Sequence, residues 1–131
     1  MEKLPQIKLL ITLARIDGEV AEKERNFIYT IGTANGISES VLKPLFDQDH
    51  DIIVPTKLTK DEKFQYIFSL VQLMKIDERL YKNEIQYCAK ITSKLGYNQN
   101  ALFDLMLHVK VSSSTSEDIV ALKKLIEKHH I

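Results

Sequence analysis

One pattern is written twice in this chain, 60 residues apart. Positions 14–24 read ARIDGEVAEKE and positions 74–84 read MKIDERLYKNE, so Asp77 and Glu84 repeat Asp17 and Glu24 at the same spacing. Both copies are set in apolar residues of helical period. From Pro5, Ile7, Leu10, Ile11 and Ala14 fall on one face, widened by Leu9, Leu13 and Ile16, and Asp17-Gly18 is a turn dipeptide that predicts a stop. A second helix is predicted from Val20 or Ala21 through Phe27, Ile28 and Ile31 to Asn35-Gly36, acidic in its first turn where the dipole favours carboxylates. A third follows Ser38, an N-cap residue, with Val41, Leu42, Leu45 and Phe46 on its apolar side and a bend expected at Pro44, before the loop DQDHDIIVP.

The second copy opens at Thr59, whose spacing to Glu62 predicts a capping box, and places Phe64, Ile67, Phe68, Val71 and Met74 on one face up to Asp77. Its next helix runs from about Tyr81 to Leu95-Gly96, and Asn98 caps another bearing Leu102, Leu105, Met106 and Val109. Gly96 answers Gly36, and Asn98 answers Ser38. After SSSTSED a seventh helix turns Ile119, Leu122 and Ile126 inward and Lys123, Lys124 and Lys128 outward. The fold class read from this is all-α: about seven helices, two pseudo-symmetric three-helix units (approximately 4–46 and 64–110) plus a C-terminal helix, in one domain spanning 1–131. DIIVP is the one segment able to form an extended edge instead.

Charge narrows the class of partner. Eighteen basic residues balance eighteen acidic ones, so no global field gathers nucleic acid or an anionic membrane, and any charged partner is expected to meet a local patch. The longest apolar run, Leu9 to Ala14, falls far short of the roughly 20 residues that span a bilayer, so no direct membrane insertion is expected. Cys88 is the single cysteine, which fits a reducing compartment and a cytoplasmic protein, with the thiol as core filler.

The repeated carboxylates are the candidate site. Val20, Glu24, Phe27, Ile28 and Ile31 share the apolar side of their helix, as Leu80, Glu84, Tyr87, Cys88 and Ile91 do of theirs, so both glutamates are predicted to face inward. A buried carboxylate is costly without an acceptor. Three acceptors are open. Amide hydrogens freed at the Gly18 turn and the helix start can take the charge. A divalent ion (calcium, magnesium or manganese) can bind Asp17 and Glu24, and Asp77 and Glu84. Asp17 to Glu24 matches the second half of an EF-hand loop, with Gly18 at the turn and Val20 at the aliphatic position. Leu13 and Arg15, or Leu73 and Lys75, stand where the first half needs oxygens, and Glu78 replaces the second turn glycine. The third acceptor role is acid/base catalysis by Asp17 and Glu24, the alternative of a small hydrolase or lyase, unaccompanied by a phosphate loop, nucleophile elbow or zinc motif.

DQDHD at 47–51 starts like an EF-hand, but Ile52 and Leu58 occupy the glycine and glutamate positions, so a solvated loop is expected. His108, His129 and His130 lack metal-helix spacing, and Tyr81 and Tyr87 read as amphipathic filler.

At ARIDGEVAEKERNFI, followed by Asn35-Gly36 and Ile37, the chain resembles the TerB-like domains of bacterial tellurite-resistance proteins, a fold shared with the N-terminal region of a membrane-anchored DnaJ-like co-chaperone. Asp17, Gly18, Val20 and Glu24 carry the likeness, echoed at Asp77, Leu80 and Glu84, and it extends over most of the chain. The resemblance implies a seven-helix domain with internal pseudo-symmetry. It further implies a cytoplasmic role in stress or toxic-anion resistance, exerted by contact with other proteins at the membrane rather than by turnover. Metal ions are linked to the family through the acidic positions matched here by Asp17, Glu24, Asp77 and Glu84, and Glu78 departs from the pattern in the second copy.

Overall fold

The computed structural model describes residues 4–16, 20–76, 82–108 and 116–127. They form seven helices: α1 (Leu4–Ala14), α2 (Glu22–Ala34), α3 (Glu39–Leu45), α4 (Lys60–Ile76), α5 (Lys82–Lys94), α6 (Gln99–His108) and α7 (Ser116–Glu127). The chain is all-α, and among the described residues no strand forms, DIIVP included. It divides into two compact units, Met1–Pro55 and Thr56–Ile131.

In the first unit α2 packs on α1 and α3. Ile7, Leu10 and Ile11 of α1, Ile28 of α2 and Leu42 of α3 are fully buried, as the helical period predicts. In the second unit α4 contacts α5, α6 and α7, and α6 also meets α5 and α7. Phe64, Ile67 and Val71 of α4, Cys88 and Ile91 of α5, and Leu102 and Leu105 of α6 supply its buried side chains.

The repeat has its clearest physical form at two helix ends. α2 and α5 begin and end 60 residues apart, and each closes on a glycine in the left-handed region, Gly36 at φ 82° and Gly96 at φ 90°. The Ile37 N–H reaches the Gly32 carbonyl at 2.9 Å and the Gly36 N–H reaches Thr33 at 3.0 Å. In the second copy Tyr97 reaches Thr92 at 3.2 Å and Gly96 reaches Ser93 at 3.0 Å. Both are Schellman ends, with the residue after the glycine, Ile37 or Tyr97, buried as the motif's apolar plug. Gly32 has a packing role as well, since a Cβ there would stand 2.7 Å from Leu42 Cδ1.

Helix starts follow local chemistry in two places and depart from it in a third. Thr59 and Glu62 form both arms of the capping box, at 3.0 and 3.1 Å, and Asn98 Oδ1 accepts the Asn100 N–H at 2.9 Å. Ser38 holds the N-cap position of α3, but its hydroxyl pairs with Ser40 Oγ at 3.0 Å instead of capping. Pro44 lies inside α3 without an N–H to bond the carbonyl of residue 40, and the helix stops one residue later at Leu45. Asp104 stands at the matching position of α6, which runs on to His108. Val41, expected on the apolar side, is 42 % exposed, whereas its neighbour Leu42 is fully buried against Gly32 of α2.

Lys123 corrects another expectation. It lies back over α4, its Nζ 3.1 Å from Asp61 Oδ1 and 5.6 Å from the Phe64 ring centroid, its alkyl stem partly covered. Leu122 and Ile126 are buried as expected, whereas the Ile119 side chain, Lys128 and Val109 lie outside the described residues.

Candidate functional site: paired glutamates at two helix starts

Glu24 is the third residue of α2 and Glu84 the third of α5. Both are buried, at 4 % and 3 % exposure, although each stands one turn from a helix N-terminus where exposed carboxylates are common. The helical phase that carries Ile28 and Cys88 into the interior carries the glutamate one turn earlier with it.

Glu24 meets a backbone donor, the first of the three possibilities. Its Oε1 accepts the N–H of Ala21, the N-cap residue, at 3.2 Å. Ala21 holds the extended conformation of an N-cap, φ −66° and ψ 153°, and its methyl group returns no bond. α2 therefore carries one arm of a capping box where α4 carries two. The helix dipole and the uncovered amides of the first turn add further positive potential around the carboxylate.

Glu84 works beside sulfur. Cys88, one turn further along α5, is fully buried and its thiol lies 3.6 Å from Met74 Sδ. Burial pushes the Cys88 thiol far above its ordinary value, and the negative charge of Glu84 pushes it the same way. A thiol held protonated in this manner is core filler, as the sequence suggested, and not a nucleophile.

Of the other residues in the repeated pattern, Val20 is half-buried just ahead of α2, while Asp17, Gly18, Asp77 and Leu80 lie outside the described residues. Among the described residues no three His, Cys, Asp or Glu side chains come together in a metal-binding group. The described donors thus bring one carboxylate to each helix start, short of the roughly six to eight oxygens calcium takes.

The DQDHD segment is a solvated loop pinned at two points. Asp47, Asp49 and Asp51 are exposed, His50 Nε2 lies 2.9 Å from the Leu45 carbonyl, and Arg15 NH1 lies 3.2 Å from Asp49 Oδ1 while also donating to the Gln48 carbonyl. Arg15, a residue that fails the EF-hand pattern, is therefore the side chain that holds the loop. A shallow concavity of about 260 Å³ beside it is lined by Pro5, Lys8, Asp49, His50, Asp51 and Ile53. A larger open groove of about 600 Å³ runs between α5 and α6. Neither Glu24 nor Glu84 lines either hollow, so neither offers the catalytic alternative its substrate pocket.

Sequence reasoning passed over the α5–α6 groove. Its signal is Phe103 and Leu107, spaced i, i+4 on α6 and 44 % and 78 % exposed, on a different side from the buried Leu102 and Leu105. No helix among the described residues is long and apolar enough to cross a membrane.

Comparison of the chain with protein-family models, with curated proteins and with solved structures finds no significant match.

Proposed function

We propose that the chain is a non-enzymatic interaction module of the TerB-like kind, working in the cytoplasm in stress or toxic-anion resistance through contact with other proteins, including proteins at the membrane. Its two acidic helix starts hold the helices of each half in register. The observation that carries this reading is the pairing of Glu24 with Glu84, both buried at the third residue of helices whose ends repeat at one spacing. Glu24 is the last acidic position of the stretch that resembles the family, and its inward placement suits a structural carboxylate better than a surface one. The protonated, buried Cys88 beside Glu84 also favours a fixed interior over a reacting centre.

Asp17 with Glu24, and Asp77 with Glu84, are the residues that would hold calcium, magnesium or manganese, with the second pair weakened by Glu78 in place of glycine. Isothermal titration with each of these ions and with zinc, read beside the melting temperature, tests this part. Heat of binding and a raised melting temperature are the expected signs of an ion that prefers the folded state. A flat titration with no shift leaves the carboxylates a purely structural role. The module reading itself falls if the chain binds neither an ion nor any peptide from a displayed library.

A further inference from the structure

The two copies of the helical unit differ most at one groove. In the first copy Tyr29 of α2 lies against Phe46 at the end of α3, ring centroids 5.3 Å apart, and the Arg25 guanidinium sits 4.8 Å from the Phe46 ring centre. The space beside α2 and α3 is thereby filled from within. Sixty residues on, Ala89 stands in place of Tyr29, Ile85 in place of Arg25 and Met106 in place of Phe46. No aromatic ring or guanidinium stands at these positions to fill the matching space, where a groove of about 600 Å³ lies between α5 and α6.

Its rim has changed along with its floor. Phe103 and Leu107 are exposed on α6 where the first copy has Lys43 and Asp47, both exposed and charged. Lys43 lies inside α3 and Asp47 just past its end, so at the first of these positions the helical unit accepts a charged residue in place of an aromatic one. Lys90 and Lys94 line the groove where the first copy has Thr30 and Ala34, and no carboxylate is among the residues lining it. The second copy thus brings Ile85, Ala89 and Phe103 together with two lysines in one groove.

We propose that the α5–α6 groove is the docking site for a peptide segment of a partner protein. That segment presents an aromatic or branched aliphatic side chain flanked by carboxylates. The apolar anchor enters the space that Ala89 leaves open, against Ile85 and Phe103, and the carboxylates meet Lys90 and Lys94. Charge selects this occupant: beside Gln86, Ser93 and Gln99 the only charged residues lining the groove are Lys90 and Lys94, which favours an acidic segment, and on a chain of zero net charge that preference is local to this face. Recognition of this type is the helix-in-groove mode, in which a few apolar anchors supply affinity and the charged rim supplies orientation. The proposal rests on the reading of the chain as an interaction module and names the surface and the partner class.

The test is a displayed library of random 12-residue peptides, selected on the folded chain, with the enriched peptides remade carrying fluorescein and titrated by anisotropy. Enriched peptides are expected to carry an aromatic or aliphatic anchor with neighbouring Asp or Glu. Ala89→Tyr, which restores the residue of the first copy, is expected to weaken them about tenfold or more, and so is the double replacement of Phe103→Lys with Leu107→Asp. The second variant alters only exposed positions, so it keeps the test valid if the tyrosine disturbs folding. Lys90→Thr with Lys94→Ala is expected to weaken binding and reduce its salt dependence. Peptides that bind all these variants as tightly as the original chain overturn the groove assignment while leaving an interaction module in place. Failure to enrich any peptide overturns the groove assignment, and together with a flat ion titration it overturns the module reading as well. Binding to phosphatidylserine vesicles, or concentration-dependent self-association, that is lost in the Phe103→Lys, Leu107→Asp variant assigns the face to a lipid surface or a second copy, and equally overturns the proposal.

Discussion

The Glu24 carboxylate accepts the backbone N–H of Ala21 at 3.2 Å from a buried position, so the start of α2 is tied to the interior side of its own helix. Its neighbour Glu22, two residues earlier on the same first turn, is exposed. Two acids of one type and nearly one position thus have different physical work.

Replacing each with alanine separates the roles. Glu24→Ala removes the acceptor of the Ala21 N–H and empties a buried site, a loss of about 1–3 kcal/mol. Glu22→Ala trims an exposed side chain and changes stability by about 0.5 kcal/mol or less. Urea denaturation of the two variants gives the comparison, and equal midpoints contradict the inward placement of Glu24.

The half-built capping box at α2 can be completed. Ala21 already has N-cap geometry and is exposed, so Ala21→Ser adds a hydroxyl able to accept the Glu24 N–H without disturbing packing. The expected gain is about 1 kcal/mol, typical of serine over alanine at this position. It should shrink in the Glu24→Ala background if the two arms act together, and a double-mutant cycle measures that coupling.

Left-handed glycines at matched helix ends predict matched losses. No heavy atom lies within 4 Å of a Cβ built on Gly36, so Gly36→Ala has only its backbone strain to overcome, about 1 kcal/mol. Gly96→Ala, at φ 90°, should cost a similar amount or more. Melting temperatures of the two variants check this, and an unchanged Gly36→Ala protein contradicts the Schellman geometry.

Alkaline stability should depend on Cys88. In the unfolded chain the thiol loses its proton near its ordinary value of 9.0, whereas burial, aided by the Glu84 charge, keeps it protonated in the fold. The native state therefore binds more protons above that pH. The stability conferred by the protonated thiol is complete below pH 9 and declines by roughly 1.4 kcal/mol per pH unit as pH rises further. Tyr97, raised above its ordinary 10.0 by burial and then by Glu127, adds a decline of the same sign at higher pH. Cys88→Ala should differ from the original chain by a constant only below pH 9, and should lose stability less steeply above it. Parallel curves for the two proteins would falsify the assignment.

Features governed by neighbours in sequence were legible before any coordinates. The capping box at Thr59, the cap at Asn98, the stops at Gly36 and Gly96 and the inward phase of Glu24 and Glu84 depend on three or four consecutive residues and a fixed helical period. Short-range hydrogen bonds and side-chain phase are properties of the segment itself, and seven all-α elements follow from them.

Tertiary structure decided what each helix face meets. Val41 is expected on the apolar side of α3 yet stays open, because α2 meets α3 at Leu42 and Phe46 instead. Lys123 has an outward phase yet folds its stem over Phe64, because α7 packs on α4 at that level. The α5–α6 groove exists because alanine stands where the first copy has a tyrosine, a difference whose effect depends on what packs opposite it. Sequence sets a helix and its stripe through local geometry; coverage of that stripe is set by side chains far along the chain, whose distances no period encodes.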